Sequence, residues 1–148
     1  MNLVEKINVD RLVAMKAREA EKLSTLRMLS TALKNAEIAK KGELTEVEAQ
    51  QILRTEKKKR QEAVEAFTKG GKLDLAEQEK REFELITTYL PQAMSAEELA
   101  TLVKTVLSEN NITEISQFGQ AMGLVVKATA GRAEGNEIQA KVKELLGS

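Results

Sequence analysis

Apolar residues along this chain recur at steps of three and four, the period of amphipathic helices. From Ala20 to Lys41 the positions Leu23, Leu26, Leu29, Leu33 and Ala36 make one stripe that ends at Gly42, which predicts a long helix with one buried face. Residues 2–18 hold a less regular set, Leu3, Val4, Ile7, Leu12 and Met15, and predict a shorter first helix. Thr45 and Glu48 form a capping box, in which hydroxyl and carboxylate each satisfy a backbone N–H, so a third helix starts near Glu46. It runs past Ala49, Ile52, Leu53, Ala63, Val64 and Phe67 to Gly70-Gly71. A fourth spans Leu73 to Leu90, with Asp74 as N-cap and Glu77 three residues on, and Pro91 stops it. Ser95 and Glu98 repeat the capping box before a stripe of Leu99, Leu102, Val103, Val106 and Leu107 that fades at Asn110-Asn111. A connector over Ile112–Gln117 leads to a sixth helix, and Glu137–Leu146 closes the chain with Ile138, Val142 and Leu145 on one side.

This pattern predicts an all-α protein. An N-terminal helical bundle built of hairpins occupies residues 1–91, and a small C-terminal three-helix domain occupies residues 92–148. The boundary rests on the sole proline and the new capping box behind it. One tyrosine, three phenylalanines and no tryptophan leave little for a β protein, whereas Ala, Leu, Glu and Lys favour helix.

The stretch GQAMGLVVKATAGRAEG, Gly119 to Gly135, departs most from an ordinary helical scaffold, because it holds four of the eight glycines. Gly119 and Gly123, with Met122 and Val126 beside them, give one helix face on which a second backbone can approach closely. Each costs about 1 kcal/mol against Ala in a helix interior, so close packing is expected to offset it. Gly131 suits a helix C-terminal cap and Gly135 the start of the next helix. Lys127 precedes this turn and Arg132 lies inside it, where free N–H groups and a helix dipole are able to receive a phosphate with Arg132 as a fork-shaped donor. A tight helical hairpin with two solvated cations fits the same spacing.

Charge narrows the choice only locally. The chain has 23 basic and 23 acidic residues, so no whole-molecule field draws it to nucleic acid or anionic membrane. Residues 1–91 hold 18 basic and 16 acidic side chains, and the remainder 5 and 7. The densest cationic run, Arg54, Lys57, Lys58, Lys59 and Arg60, is a candidate basic patch, although a solvated helix face has the same composition. Glu56 and Arg60 fall near the buried side of that helix, where a partly buried ion pair would fix register.

Histidine and cysteine are absent, which excludes disulfides, thiolate chemistry, a Ser-His-Asp centre and any His-bearing metal site. No phosphate loop, nucleophile motif or metal-ligand spacing is present. The inventory supports a binding module without cofactor or metal rather than a stand-alone enzyme. No basic region followed by an apolar run opens the chain, and no stretch approaches 18 apolar residues, so a cytoplasmic protein that makes no use of a membrane is expected.

Tyr89-Leu90-Pro91, the following Ser95-Ala96-Glu97-Glu98-Leu99, the glycine stretch, the K-K-K-R-Q-E-A run and G-G-K-L-D-L-A together resemble the GatB/YqeY family, in particular its small stand-alone YqeY-like members. The resemblance covers essentially the whole chain. It implies an all-α protein whose C-terminal domain is similar to the tail of the B subunit of tRNA-dependent amidotransferase. There the chemistry, carbon-nitrogen ligation with glutamine as amido donor, belongs to other domains, and the tail helps hold tRNA. The implied partners are tRNA or a tRNA-processing or aminoacylation assembly, without amide transfer by this chain.

Gly119, Met122, Gly123, Lys127, Gly131, Arg132, Ala133 and Gly135 match the shared motif. Where the amidotransferase tail carries lysine after its first glycine and before its third, this chain has Gln120 and Ala130. Lys127, Arg132, Lys141 and Lys143 remain as candidate nucleic-acid contacts. With Phe118 the only aromatic residue of the domain, shape recognition of a folded RNA suits it better than base stacking. The alternative is a protein-protein adaptor that docks a partner on the same residues without touching nucleic acid.

Overall fold

A computed structural model describes residues 1–147. Seven α-helices and one 3₁₀ turn, with no strand among the described residues, make the chain all-α. It divides into two compact units, Met1–Leu90 and a second that begins at Pro91.

In the first unit α1 spans Leu3–Lys16, α2 Ala20–Lys40, α3 Glu46–Lys69 and α4 Leu73–Thr88. A capping box opens α1, where the Asn2 side chain accepts from the Glu5 N–H and the Glu5 carboxylate accepts from the Asn2 N–H. The Thr45/Glu48 box opens α3 as its sequence predicts. Two ends differ from expectation. Asp74 is not the N-cap of α4; Lys72 stands there without a side-chain cap, and Asp74 lies in the first turn, where its charge still favours the helix dipole. Lys41, at φ 62°, rather than Gly42, takes the left-handed position that ends α2.

Leu26, Leu29 and Leu33 of α2 are fully buried with Ile7 of α1, Leu53 of α3 and Ile86 of α4. Each such side chain contributes about 2 kcal/mol through area removed from water, and this core fixes the α1–α2 hairpin on the base of the α3–α4 hairpin. The outer halves of α3 and α4 pack along each other as an arm that adds nothing to that buried cluster. At the base, the Tyr89 hydroxyl donates to the Asp10 carboxylate at 2.5 Å, and Lys6 lies both over the Tyr89 ring and 3.6 Å from Asp10.

The second unit holds α5, Ala96–Glu109, a 3₁₀ turn at Ile115–Gln117, α6, Phe118–Thr129, and α7, Gly135–Leu146. All three helices touch one another, around Leu99, Val103, Ala121, Val125, Ile138 and Val142. The Ser95 hydroxyl accepts from the Glu98 N–H as a cap should, but the Glu98 carboxylate does not complete the box: it receives the Ser95 hydroxyl and Arg132 instead. Ala130, at φ 48°, caps α6 in the left-handed region, and Gly131, at φ 81°, extends that conformation by one residue.

Candidate nucleic-acid interface

The α6 sequence settles which face turns inward. Ala121, Val125 and Thr129 are buried, whereas Gly119, Gly123 and Val126, at the complementary i, i+4, i+7 steps, are exposed. A Cβ built on Gly119 or Gly123 meets nothing within 4 Å. Among the described residues no element of the second unit therefore makes use of the close approach that two helical glycines permit, and the face stays open at a cost in helix propensity. Met122 is half-buried against the core beside it, and Val126 leaves 48% of its surface exposed.

Arg132 does not lie on that face. Its Nε donates to the Gln92 carbonyl at 2.9 Å, an Nη donates to Glu98 at 3.2 Å, and its own carbonyl accepts from the Met94 N–H at 2.8 Å. These bonds tie the α6–α7 turn to the segment that leads into α5. The fork predicted for a phosphate is thus engaged in holding the unit together. The start of α7 is acidic besides: Glu134 is its N-cap, Glu137 lies in its first turn, and the Glu137 N–H is taken by the Asn136 side chain. Like charge at this end disfavours an anion there.

The remaining candidates are dispersed. Lys127 is exposed in the last turn of α6. Lys143 of α7 lies over the Phe118 ring at 5.7 Å, at the opposite end of α6, about 13 Å away along the helix axis. Lys141 is paired with Glu144 at 3.0 Å. Gly119, Gly123, Lys127 and Lys143 thus mark out α6 from end to end, while Arg132, Gly131 and Gly135 belong to the turn.

In the first unit the cationic run does not form one patch. Lys57 sits over the Phe83 ring at 5.1 Å, Lys59 pairs with Glu56 at 3.3 Å, and Arg60 is drawn into the α3–α4 seam. Arg54 donates to Gln51 at 3.4 Å, and Lys58 stands exposed on the outer side. Glu56 is buried, as its position in the stripe predicts, but its seam also holds Glu79 and Glu82, which α4 periodicity alone does not single out. Among the described residues no group of acidic side chains is arranged to hold a metal, and no helix is long and apolar enough to cross a membrane.

Comparison with known proteins agrees with this architecture. An uncharacterized protein of Schizosaccharomyces pombe is 32% identical over 94 residues, 64% of this chain and 76% of the relative. Altered inheritance of mitochondria protein 41, mitochondrial, of Lachancea thermotolerans is 30% identical over 125 residues, 84% of this chain. Its counterpart in Eremothecium gossypii is 36% identical over 100 residues, 65% of this chain. This chain spans 65% and 54% of the lengths of those two mitochondrial proteins. The Yqey-like protein family matches residues 4–146, nearly every position from α1 to the end of α7, and the chain belongs to that family.

Proposed function

We propose that the second unit is a non-catalytic RNA-binding module that receives the folded backbone of a tRNA on the open face of α6. One observation carries the reading: Gly119 and Gly123 are exposed, and among the described residues no atom lies within 4 Å of a Cβ placed on either. A sugar-phosphate backbone needs such close access, and Lys127 and Lys143 stand at the two ends of the helix to neutralise phosphates. The resemblance to the amidotransferase tail supports the same partner. With two cations engaged, binding is weak and salt-sensitive, driven by counterion release and shape rather than by base readout.

The test is binding of the full chain to mixed tRNA at about 50 mM and about 200 mM salt. Two phosphate contacts predict a loss of affinity of about tenfold over that interval. A Lys127→Glu, Lys143→Glu double variant is expected to lose binding while keeping its helical circular dichroism. Arg132 is unsuited to this test, because its replacement removes the bonds to Gln92 and Glu98. Absence of binding at low salt refutes the proposal and leaves a protein adaptor as the role of the same face.

A further inference from the structure

Arg60 enters the seam between α3 and α4 and meets three carboxylates, Glu56 on its own helix at 3.8 Å and Glu79 and Glu82 of α4 at 3.5 and 3.6 Å. None of the contacts to α4 is a hydrogen bond. Arg60 Nε, Glu79 Oε2 and Glu82 Oε2 are all buried without a hydrogen-bond partner, and one Arg60 Nη donates to the Met28 sulfur of α2 instead, at 3.1 Å. Lys59 adds a second cation through Glu56. Of the other charged groups around the seam, Arg81 pairs with Glu21 of α2 and Lys22 with Glu19, while Lys57 keeps its charge over the Phe83 ring. Within the ion-paired cluster three carboxylates share two cations, the two on α4 share Arg60 alone, and one proton on the Glu79–Glu82 pair would relieve its repulsion.

Glu79 and Glu82 lie one turn apart on the same side of α4, close enough for one carboxyl to donate to the other. We propose that Glu79 carries that proton and donates it to Glu82, so that the α3–α4 arm is fastened by a carboxyl–carboxylate hydrogen bond that opens as the solution becomes alkaline. Burial, followed by the neighbouring Glu82 charge, raises the Glu79 carboxyl above its ordinary value of 4.5, against the pull of Arg60. The sign follows from linkage. A group that holds its proton more tightly folded than unfolded gives its full stabilisation at acid pH, and that is lost as pH rises from the unfolded value through the folded one. Losing the proton leaves two adjacent, partly buried carboxylates around one guanidinium, and the outer arm, where Ala76 is the one buried apolar residue described, is the part free to separate.

Hydrogen exchange of the full chain tests this, with intrinsic rates corrected and α5 amides as internal reference. Protection of the α4 amides is expected to fall relative to α5 as pH rises from acid to about 8, about tenfold for each pH unit by which the folded chain holds this proton beyond the unfolded one. Glu79→Gln, whose amide donates to Glu82 at every pH, is expected to abolish that dependence. Constant α4 protection in the native protein, or an unchanged dependence in Glu79→Gln, overturns the proposal. Should the variant not fold, carboxyl ¹³C titration of the native protein decides: Glu79 titrating above the other glutamates upholds it, and Glu79 titrating no higher than they do overturns it.

Discussion

Replacing Gly123 by Ala separates the two things this glycine does. It sits in the interior of α6, on the exposed side, at a helical φ, and a methyl group there contacts nothing within 4 Å. Alanine restricts the unfolded chain and suits the helix, so the second unit is expected to gain about 0.5–1 kcal/mol. For a unit of this size that raises its melting temperature by roughly 5 °C, readable by calorimetry or circular dichroism. Gly119 lies at the second residue of α6, where backbone order contributes less, and the same change there is expected to give a smaller rise.

Gly123→Leu then asks what the openness is for. Its side chain extends beside Val126 into solvent and leaves the core of Ala121 and Val125 untouched, so stability is expected to stay at or above that of the native protein. Binding of tRNA is expected to fall at least tenfold, about 1.4 kcal/mol, because the backbone can no longer approach α6. A lower melting temperature in either variant refutes the statement that the face is free. Unchanged binding in Gly123→Leu refutes its use as the interface.

Three further changes probe the supports around that face and in the first unit. Arg132→Ala is expected to cost about 1 kcal/mol by thermal melting, its half-exposed bonds to Gln92 and Glu98 being worth less than buried ones, and Arg132→Lys is expected not to restore it because lysine cannot span both acceptors. Glu48 is held down to about 2, first by the hydrogen bond from Lys40 and then by the bonds to Thr45; its contribution is present above 4.5 and lost as pH falls toward 2, so Glu48→Gln is expected to flatten the acid limb of the melting curve in that window. The phenol of Tyr89, raised above its ordinary 10.0 first by burial and then by Asp10, is expected to remain protonated past pH 10 until the first unit unfolds; tyrosinate absorbance reads this directly, since the chain has a single tyrosine, and Tyr89→Phe is expected to shift alkaline unfolding upward.

Helix positions were legible because each rests on a local device: the stripe of Leu26, Leu29 and Leu33, the Thr45 and Ser95 caps, the stop at Pro91. The end of α2 was misread for a different reason. A left-handed Lys41 costs about 1 kcal/mol that Gly42 next door would avoid, and here the chain turns one residue early, as it also does at Ala130 before the left-handed Gly131. The open glycine face was half legible: spacing identified the face, but only the position of the Ala121–Val125–Thr129 side says that it looks outward.

Charge was the least legible level, for a physical reason. A cation's availability depends on partners far away in sequence, and both Arg60 and Arg132 find theirs through the fold, in Glu79 and Glu82 for the first and in Gln92 and Glu98 for the second. Both arginines offer a planar fork and bury or half-bury it, whereas Lys58 and Lys127 keep their strongly hydrated ammonium heads exposed. The cations proposed to meet a phosphate are lysines at the edges of α6, Lys127 and Lys143. The proposed surface, with lysines at its ends and glycines at its centre, would bind by access and point charge, which is why removing the access at Gly123 is a sharper test than removing any one cation.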